Sequence, residues 1–167
     1  MTDANKRANV ASELARADES MRAARVLVDA ALLHDAESRL YYASYHAAVA
    51  LLLTEGLEPR SHAGTASMLG LHFVKTGRMD PEDARLFARI QKYRLEADYG
   101  RDFVLTEAAL REDLASCQTF LDRARHHRRF PPGSLRRAKN HIVVPVLKLR
   151  YKGTTPAWTR HRGPLCA

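Results

Sequence analysis

Apolar residues recur through the first part of the chain with the spacing of an α-helix. Seven of them are separated alternately by four and three residues and fall on one stripe, with charged residues opposite: Val10, Leu14, Ala17, Met21, Ala24, Val28 and Ala31. A second helix is predicted from about Ala36 to Glu55, with Asp35 as its N-cap and Gly56 as the left-handed residue after its end. Apolar residues lie on nearly all its sides, which is typical of a central helix.

Capping signals predict three further helices. Ser61 is placed to cap a short third helix, and Thr106 to cap a fifth. Between them, Asp80 followed by Pro81 supplies an N-cap and a proline in the first helical position. Short turns between helices favour antiparallel neighbours. We therefore predict an all-α, antiparallel up-and-down bundle of four to five helices over residues 5–127.

The pattern changes after His127. All 19 acidic residues lie at or before Asp122, whereas 12 of the 27 lysines and arginines follow it, so the net charge of +8 arises from the C-terminal segment. Residues 128–167 contain one short apolar run, which Pro145 interrupts, and no partner strands. We predict that this segment is a basic tail, disordered or loosely docked. Such a tail could support salt-dependent, sequence-blind binding of nucleic acid.

Several classes of protein are disfavoured by the sequence. No apolar stretch approaches the roughly 18 residues of a membrane span, and the polar N-terminus does not resemble a signal peptide. The two cysteines, Cys117 and Cys166, suggest neither a disulfide framework nor a metal site. There is no glycine-rich phosphate loop, zinc-protease motif or nucleophile elbow. We expect a cytoplasmic protein with no membrane association, no cofactor and no metal.

One candidate set of functional residues lies on the second helix. Arg39, Tyr42 and His46 are separated by three and four residues and therefore share a helix face. A guanidinium, a phenol and an imidazole side by side could bind phosphate or serve in acid–base chemistry. The alternative interpretation is that these side chains make hydrogen bonds between helices.

Further candidates lie near the end of the fourth helix and the start of the third. Arg94 and Asp98 are four residues apart and can pair, and Tyr99 follows them. If the Arg94–Asp98 pair is exposed, it adds less than about 1 kcal/mol to the stability of the protein. If the pair is buried, it needs another role, such as holding the helix end or directing Arg94 at a ligand. His62 either contacts the neighbouring loop or joins a binding surface.

The motifs in these regions resemble those of the HEPN superfamily, and specifically of its small UPF0332 group. The resemblance covers about residues 8–125, in the expected order. It is carried by four motifs: Ser38-Arg39-x-Tyr41-Tyr42-Ala-x-Tyr45-His46-Ala, Gly56-Leu57-Glu58-Pro59-x-Ser61-His62-x-Gly64, His72-Phe73-Val74-Lys75-Thr76-Gly77 and Arg94-x-x-x-Asp98-Tyr99. It implies a helical bundle that commonly forms a homodimer and acts with a minimal nucleotidyltransferase as a toxin–antitoxin pair.

The resemblance also implies a candidate activity, metal-independent cleavage of RNA. The family's ribonucleases use an Arg followed, after four to six residues, by a His on a late helix; the ribose 2′-OH is the nucleophile. In this chain Asp98 and Tyr99 stand where that His is expected after Arg94. A composite site of Arg39, His46 and Arg94 is the remaining candidate. The predicted catalytic residues are thus Arg94, Asp98 and His46, and the predicted nucleotide- or RNA-binding residues are Arg39, Tyr42, Tyr99 and His62.

Three hypotheses of function follow from the sequence. The first is a toxin-type protein that cleaves RNA and is controlled by a nucleotidyltransferase antitoxin. The second is a non-catalytic module that binds a nucleotide or that partner, with Tyr99 as a candidate acceptor for nucleotide transfer. The third is binding of nucleic acid through the basic tail.

Overall fold

Five α-helices make up the described part of the chain. The structure, a computed structural model, describes residues 2–99 and 105–127, with the side chains of residues 2–96 and 105–126. The helices are α1 (Asp3–Asp29), α2 (Leu33–Thr54), α3 (His62–Leu69), α4 (Pro81–Tyr99) and α5 (Glu107–His127), and a π-helical segment, Gly70–Val74, continues α3. No strand occurs in these two ranges. The predicted all-α class is confirmed.

Helix α1 buries the stripe that its hydrophobic spacing predicts. Thr2 caps it, because its hydroxyl accepts a hydrogen bond from the Asn5 backbone N–H at 3.3 Å. Six of the seven stripe residues are buried. The exception is Ala31, which is exposed and has a left-handed backbone with a φ of 58° in the turn that follows the helix.

The predicted N-cap of α2 is wrong. Helix α2 begins at Leu33, so Asp35 lies in its first turn and not before it, and Leu32 is the capping residue without a side-chain cap. The reason is the tight turn after α1, in which the Leu32 N–H donates to the Leu27 carbonyl oxygen at 2.9 Å. That turn leads directly into α2. Asp35 still complements the positive end of the helix dipole.

Helix α2 is the central helix, as its apolar residues on all sides predict. It packs against α1, α3, α4 and α5, and twelve of its residues are buried. The left-handed residue after it is Gly56, with a φ of 74°, as predicted. Neighbouring helices therefore cover most of α2, and its exposed side chains, His34, Asp35 and Arg39, all lie near its start.

Helices α3, α4 and α5 begin at the predicted caps. The Ser61 hydroxyl accepts from the Gly64 N–H at 3.0 Å, and the Thr106 hydroxyl accepts from the Ala109 N–H at 3.3 Å. The Asp80 carboxylate accepts from the Glu82 N–H at 2.9 Å. No helix among residues 2–99 and 105–127 is long and apolar enough to cross a membrane. The predicted tail, 128–167, lies outside the described residues.

A polar group without a hydrogen bond lies in the core beside α4 and α5. Glu37 of α2 is fully buried, and neither of its carboxylate oxygens has a partner among the described residues. Burial, together with the negative charge of Asp113, raises the pKa of Glu37 from 4.5 to about 8 against the opposing charge of Arg89. Asp113 itself is paired with Arg89. Glu37 is therefore a neutral acid at pH 7.

Asp83 stabilises the packing of α4 on α5. It is 6% exposed and accepts two hydrogen bonds from Arg123 of α5, at 2.7 and 2.8 Å. We expect the Asp83→Ala variant to lose about 1–2 kcal/mol of unfolding free energy, since it removes two charge-assisted bonds. Glu82→Ala is the matched control, because Glu82 lies in the same first turn with a side chain 71% exposed. Urea unfolding measures both; equal losses would contradict the role given to Asp83.

Candidate functional site

Five aromatic side chains meet at the junction of α2 and α3, and we call them the Tyr–His cluster: Tyr41, Tyr42, Tyr45 and His46 from α2, and His62 from α3. The Tyr45 ring lies between the two imidazoles, with ring centroids 4.3 Å from His62 and 5.5 Å from His46. Tyr41 contacts Tyr42 at 5.5 Å and Tyr45 at 6.1 Å. The spacing of the four α2 residues gives one broad helix face, and the cap at Ser61 brings His62 against it.

Helix α4 brings a guanidinium to the same cluster. The Cζ atom of Arg94 lies 5.4 Å from the ring centroid of Tyr41 and 5.6 Å from that of Tyr42. These distances are typical of cation–π contacts, which hold a cation over the face of an aromatic ring. Arg94 and His46, which are 48 residues apart in sequence, therefore both lie against Tyr42, since the Tyr42 and His46 centroids are 6.4 Å apart.

A carboxylate of α1 fixes the orientation of His46. The Nδ1 atom of His46 lies 2.7 Å from Oε2 of Glu13, and both side chains are less than one fifth exposed. The other Glu13 oxygen lies 3.5 Å from Nη1 of Arg16. Glu13 was not among the predicted site residues. Its signal in the sequence is a negative charge next to the buried stripe of α1, one position before Leu14.

A buried tyrosine fixes the orientation of His62. The Tyr41 hydroxyl lies 2.6 Å from Nδ1 of His62, and Tyr41 is 1% exposed. Burial raises the pKa of Tyr41 to about 12, although the positive charge of Arg94 opposes the change. Burial also lowers the pKa of His62, and the nearby charges of Arg94 and His46 lower it further. At pH 7 the pair thus consists of a protonated phenol and a neutral imidazole.

The structure brings together only part of the predicted set. His46, His62, Tyr42 and Arg94 meet in or against the Tyr–His cluster. Arg39 is exposed, and among the described residues it makes no hydrogen bond or ring contact with the cluster. The side chains of the two remaining predicted residues, Asp98 and Tyr99, lie outside the described part of the chain. Within that part, no group of His, Cys, Asp and Glu side chains is arranged to hold a metal ion.

The cluster has the elements needed to bind a phosphodiester. The guanidinium of Arg94 is a cation with planar donors, which suits a phosphate group. The tyrosine rings offer surfaces on which unstacked bases could lie. Two imidazoles, each tied to a different partner through Nδ1, supply groups that can donate or accept a proton. The fold and site thus define a small helical-bundle protein in which Arg, His and Tyr side chains from three helices meet.

The family of this protein follows from comparison with known sequences. The model of the HEPN domain family matches residues 11–131, so the chain belongs to the HEPN domain family. It is 41% identical over 85 residues to a UPF0332 protein of Gloeobacter violaceus, covering 51% of this chain and 68% of that one. It is 33% identical over 107 residues to a UPF0332 protein of Thermotoga maritima, covering 64% and 81%. Both the superfamily and the group inferred from the four motifs are confirmed.

Some relatives have names that refer to an activity. A protein of Methanocaldococcus jannaschii named "Putative toxin" is 38% identical over 107 residues, which is 64% of this chain and 79% of that protein. A second protein of the same organism with that name is 33% identical over 84 residues. The chain is therefore similar to toxin-type members of the HEPN family.

Proposed function

We propose that this chain is the toxin-type component of a HEPN toxin–antitoxin pair and that it cleaves RNA without a metal ion. The observation that supports this most directly is the meeting of His46, His62 and Arg94 around three tyrosine rings. An arginine and two imidazoles on one aromatic surface are the groups that phosphodiester transfer requires: charge stabilisation, proton transfer and a surface for unstacked bases. The names of the relatives from Methanocaldococcus jannaschii support the toxin assignment.

In this mechanism Arg94 and His46 act on a single phosphodiester of RNA. The proton of the ribose 2′-OH passes to Nε2 of His46 as the 2′ oxygen bonds to phosphorus. Arg94 stabilises the charge that develops on the non-bridging oxygens. The bond from phosphorus to the 5′ oxygen then breaks, and that oxygen takes a proton from water. The products are a 2′,3′-cyclic phosphate and a 5′-hydroxyl end, and the imidazolium returns its proton to solvent.

Incubation of the full-length protein with total RNA in the presence of EDTA tests this activity. We expect His46→Ala to lower the cleavage rate by about 100-fold or more, since a positioned general base contributes about that factor. His126→Ala is the control, because His126 is exposed on α5 and, within the described part of the chain, the hydrogen-bond partner of its Nδ1 is the Asp122 carbonyl oxygen, at 2.7 Å. Cleavage that EDTA abolishes, or that His46→Ala leaves unchanged, would exclude the mechanism.

We propose a minimal nucleotidyltransferase as the antitoxin and a homodimer as the assembly, as the family resemblance implies. In such a pair Tyr99, at the end of α4, is a candidate acceptor for nucleotide transfer from the partner. Co-expression with a nucleotidyltransferase encoded beside this chain, followed by mass spectrometry, tests the idea. Intact mass raised by a nucleotide on Tyr99 would support it, and an unmodified Tyr99 in an active pair would exclude it.

The alternative proposal is a non-catalytic module that binds a nucleotide or the partner through the same cluster. It is favoured by the sequence after Arg94, where Asp98 and Tyr99 replace the expected histidine. Calorimetry with ATP and other nucleotides separates the two proposals. Nucleotide binding that depends on Arg94, together with intact RNA, would favour the module. Cleavage that depends on His46 would favour the ribonuclease.

A further inference from the structure

The two histidines of the Tyr–His cluster have different partners at the same ring nitrogen. Nδ1 of His46 lies against the Glu13 carboxylate, at 2.7 Å, and Nδ1 of His62 lies against the Tyr41 hydroxyl, at 2.6 Å. A neutral imidazole carries one proton, on either Nδ1 or Nε2, and the partner of one nitrogen determines which tautomer is stable. Different partners at Nδ1 can therefore leave a lone pair on Nε2 of one ring and a proton on Nε2 of the other.

Glu13 holds a proton on Nδ1 of His46. One oxygen of the Glu13 carboxylate lies 3.5 Å from the guanidinium of Arg16, and a carboxylate can only accept hydrogen bonds. The proton between Glu13 and His46 therefore belongs to Nδ1. In the neutral ring, Nε2 then carries a lone pair and can accept a proton from a ribose hydroxyl.

Tyr41 has the opposite effect on His62. Its hydroxyl is buried, and His62 provides its sole hydrogen bond among the described residues, so the hydroxyl proton needs Nδ1 as its acceptor. In the neutral ring the proton of His62 must then lie on Nε2, where it can be donated. His62 is an exposed residue. The lowered pKa of His62 agrees with a ring that stays neutral at pH 7.

We propose that Glu13 and Tyr41 hold His46 and His62 in opposite tautomers, so that His46 is the base and His62 is a neutral donor to a phosphate oxygen of the substrate. This rests on the proposed function, because it assigns roles within the same site. Arg94 and His62 both lie against the Tyr41 ring, at 5.4 and 5.6 Å from its centroid. The proposal requires that both groups reach the same phosphate. Glu13 and Tyr41 are positioning residues, since each acts through its histidine.

Nitrogen NMR of the full-length protein, labelled with ¹⁵N in histidine, tests the tautomers without any substrate. The His46→Ala and His62→Ala variants assign the resonances. At pH 7.5 we expect the protonated nitrogen to be Nδ1 in His46 and Nε2 in His62. Glu13→Ala, which removes the acceptor, should move the His46 proton from Nδ1 to Nε2. Tyr41→Phe, which removes the donor, should allow part of the His62 population to carry its proton on Nδ1. The controls are Glu19→Ala, an exposed acid on α1, and Tyr45→Phe, which removes a hydroxyl without a hydrogen bond to His62 among the described residues.

The same variants are then assayed for RNA cleavage. Tyr41→Phe should raise KM about tenfold with a smaller change in kcat, because it weakens a donor to a bound phosphate. Glu13→Ala should mainly lower kcat. The same tautomer in both rings, or a His46 tautomer that Glu13→Ala leaves unchanged, would overturn the proposal. Opposite tautomers in a protein that neither binds nor cleaves RNA would instead count against the proposed function and leave the assigned tautomers standing.

Discussion

Replacing Arg94 by alanine is expected to lower RNA cleavage by about 100- to 1000-fold, the usual effect of removing a group that stabilises charge in a transition state. The guanidinium lies over Tyr41 and Tyr42, at 5.4 and 5.6 Å from their centroids, and is the cation that α4 brings to the Tyr–His cluster. Arg94→Lys should recover only part of the activity, because an ammonium lacks the planar pair of donors that matches a phosphate.

A second measurement on the Arg94→Ala variant is independent of catalysis. The charge of Arg94 is one of the causes that lower the pKa of His62, so its removal should raise that pKa towards the ordinary value for histidine. NMR titration of the His62 ring measures this shift. Lys92→Ala is the matched control, since Lys92 lies on the same helix with a side chain 70% exposed and a partner in Glu96. Unchanged cleavage in the Arg94→Ala variant would exclude Arg94 as a catalytic residue.

The stability of the protein should fall as the pH rises from about 4.5 to 8, because of Glu37. In the unfolded chain its carboxyl group ionises near pH 4.5, whereas in the folded protein it keeps its proton until about pH 8. Between these values the folded state binds more protons than the unfolded state, so the free energy of unfolding decreases with pH. Above pH 8 the loss is complete. The expected total is on the order of 3–5 kcal/mol.

The Glu37→Gln variant isolates this effect. Glutamine has nearly the same shape but does not ionise, so the variant should match the wild type near pH 4.5 and be more stable at pH 8. Guanidinium unfolding at several pH values measures the difference between the two proteins, which removes the contribution of other titrating groups. Glu19→Gln is the control, because Glu19 is exposed. Parallel stability profiles for wild type and Glu37→Gln would show that Glu37 is not a buried neutral acid.

Local signals in the sequence predicted most of the fold. The caps at Ser61, Asp80 and Thr106 are hydrogen bonds between residues two or three positions apart, so the residue types near each helix start are sufficient to identify them. The stripe of α1 depends only on helical spacing. The start of α2 could not be placed in this way, since it depends on the left-handed backbone of Ala31 and on the turn that Leu32 closes.

The candidate site was predicted in part, because its contacts join residues far apart in sequence. The His46 and Arg94 side chains were identified by their chemistry, but Glu13 lies 33 residues from His46, and Tyr41 lies 21 residues from His62. No local pattern records such pairs. The helical spacing that grouped Arg39 with Tyr42 and His46 was also insufficient. The cluster is centred on the side of α2 that carries Tyr41 and Tyr45, and Arg39 remains exposed.

Four separate helices each supply a part of the site: Glu13 from α1, His46 from α2, His62 from α3 and Arg94 from α4. A ribosome synthesises these parts in order, and the guanidinium is the last to emerge. A nascent chain that has not yet exposed α4 holds both imidazoles without the cation that would act on a phosphate. If the proposed function holds, its set of catalytic groups is therefore complete only after synthesis of α4.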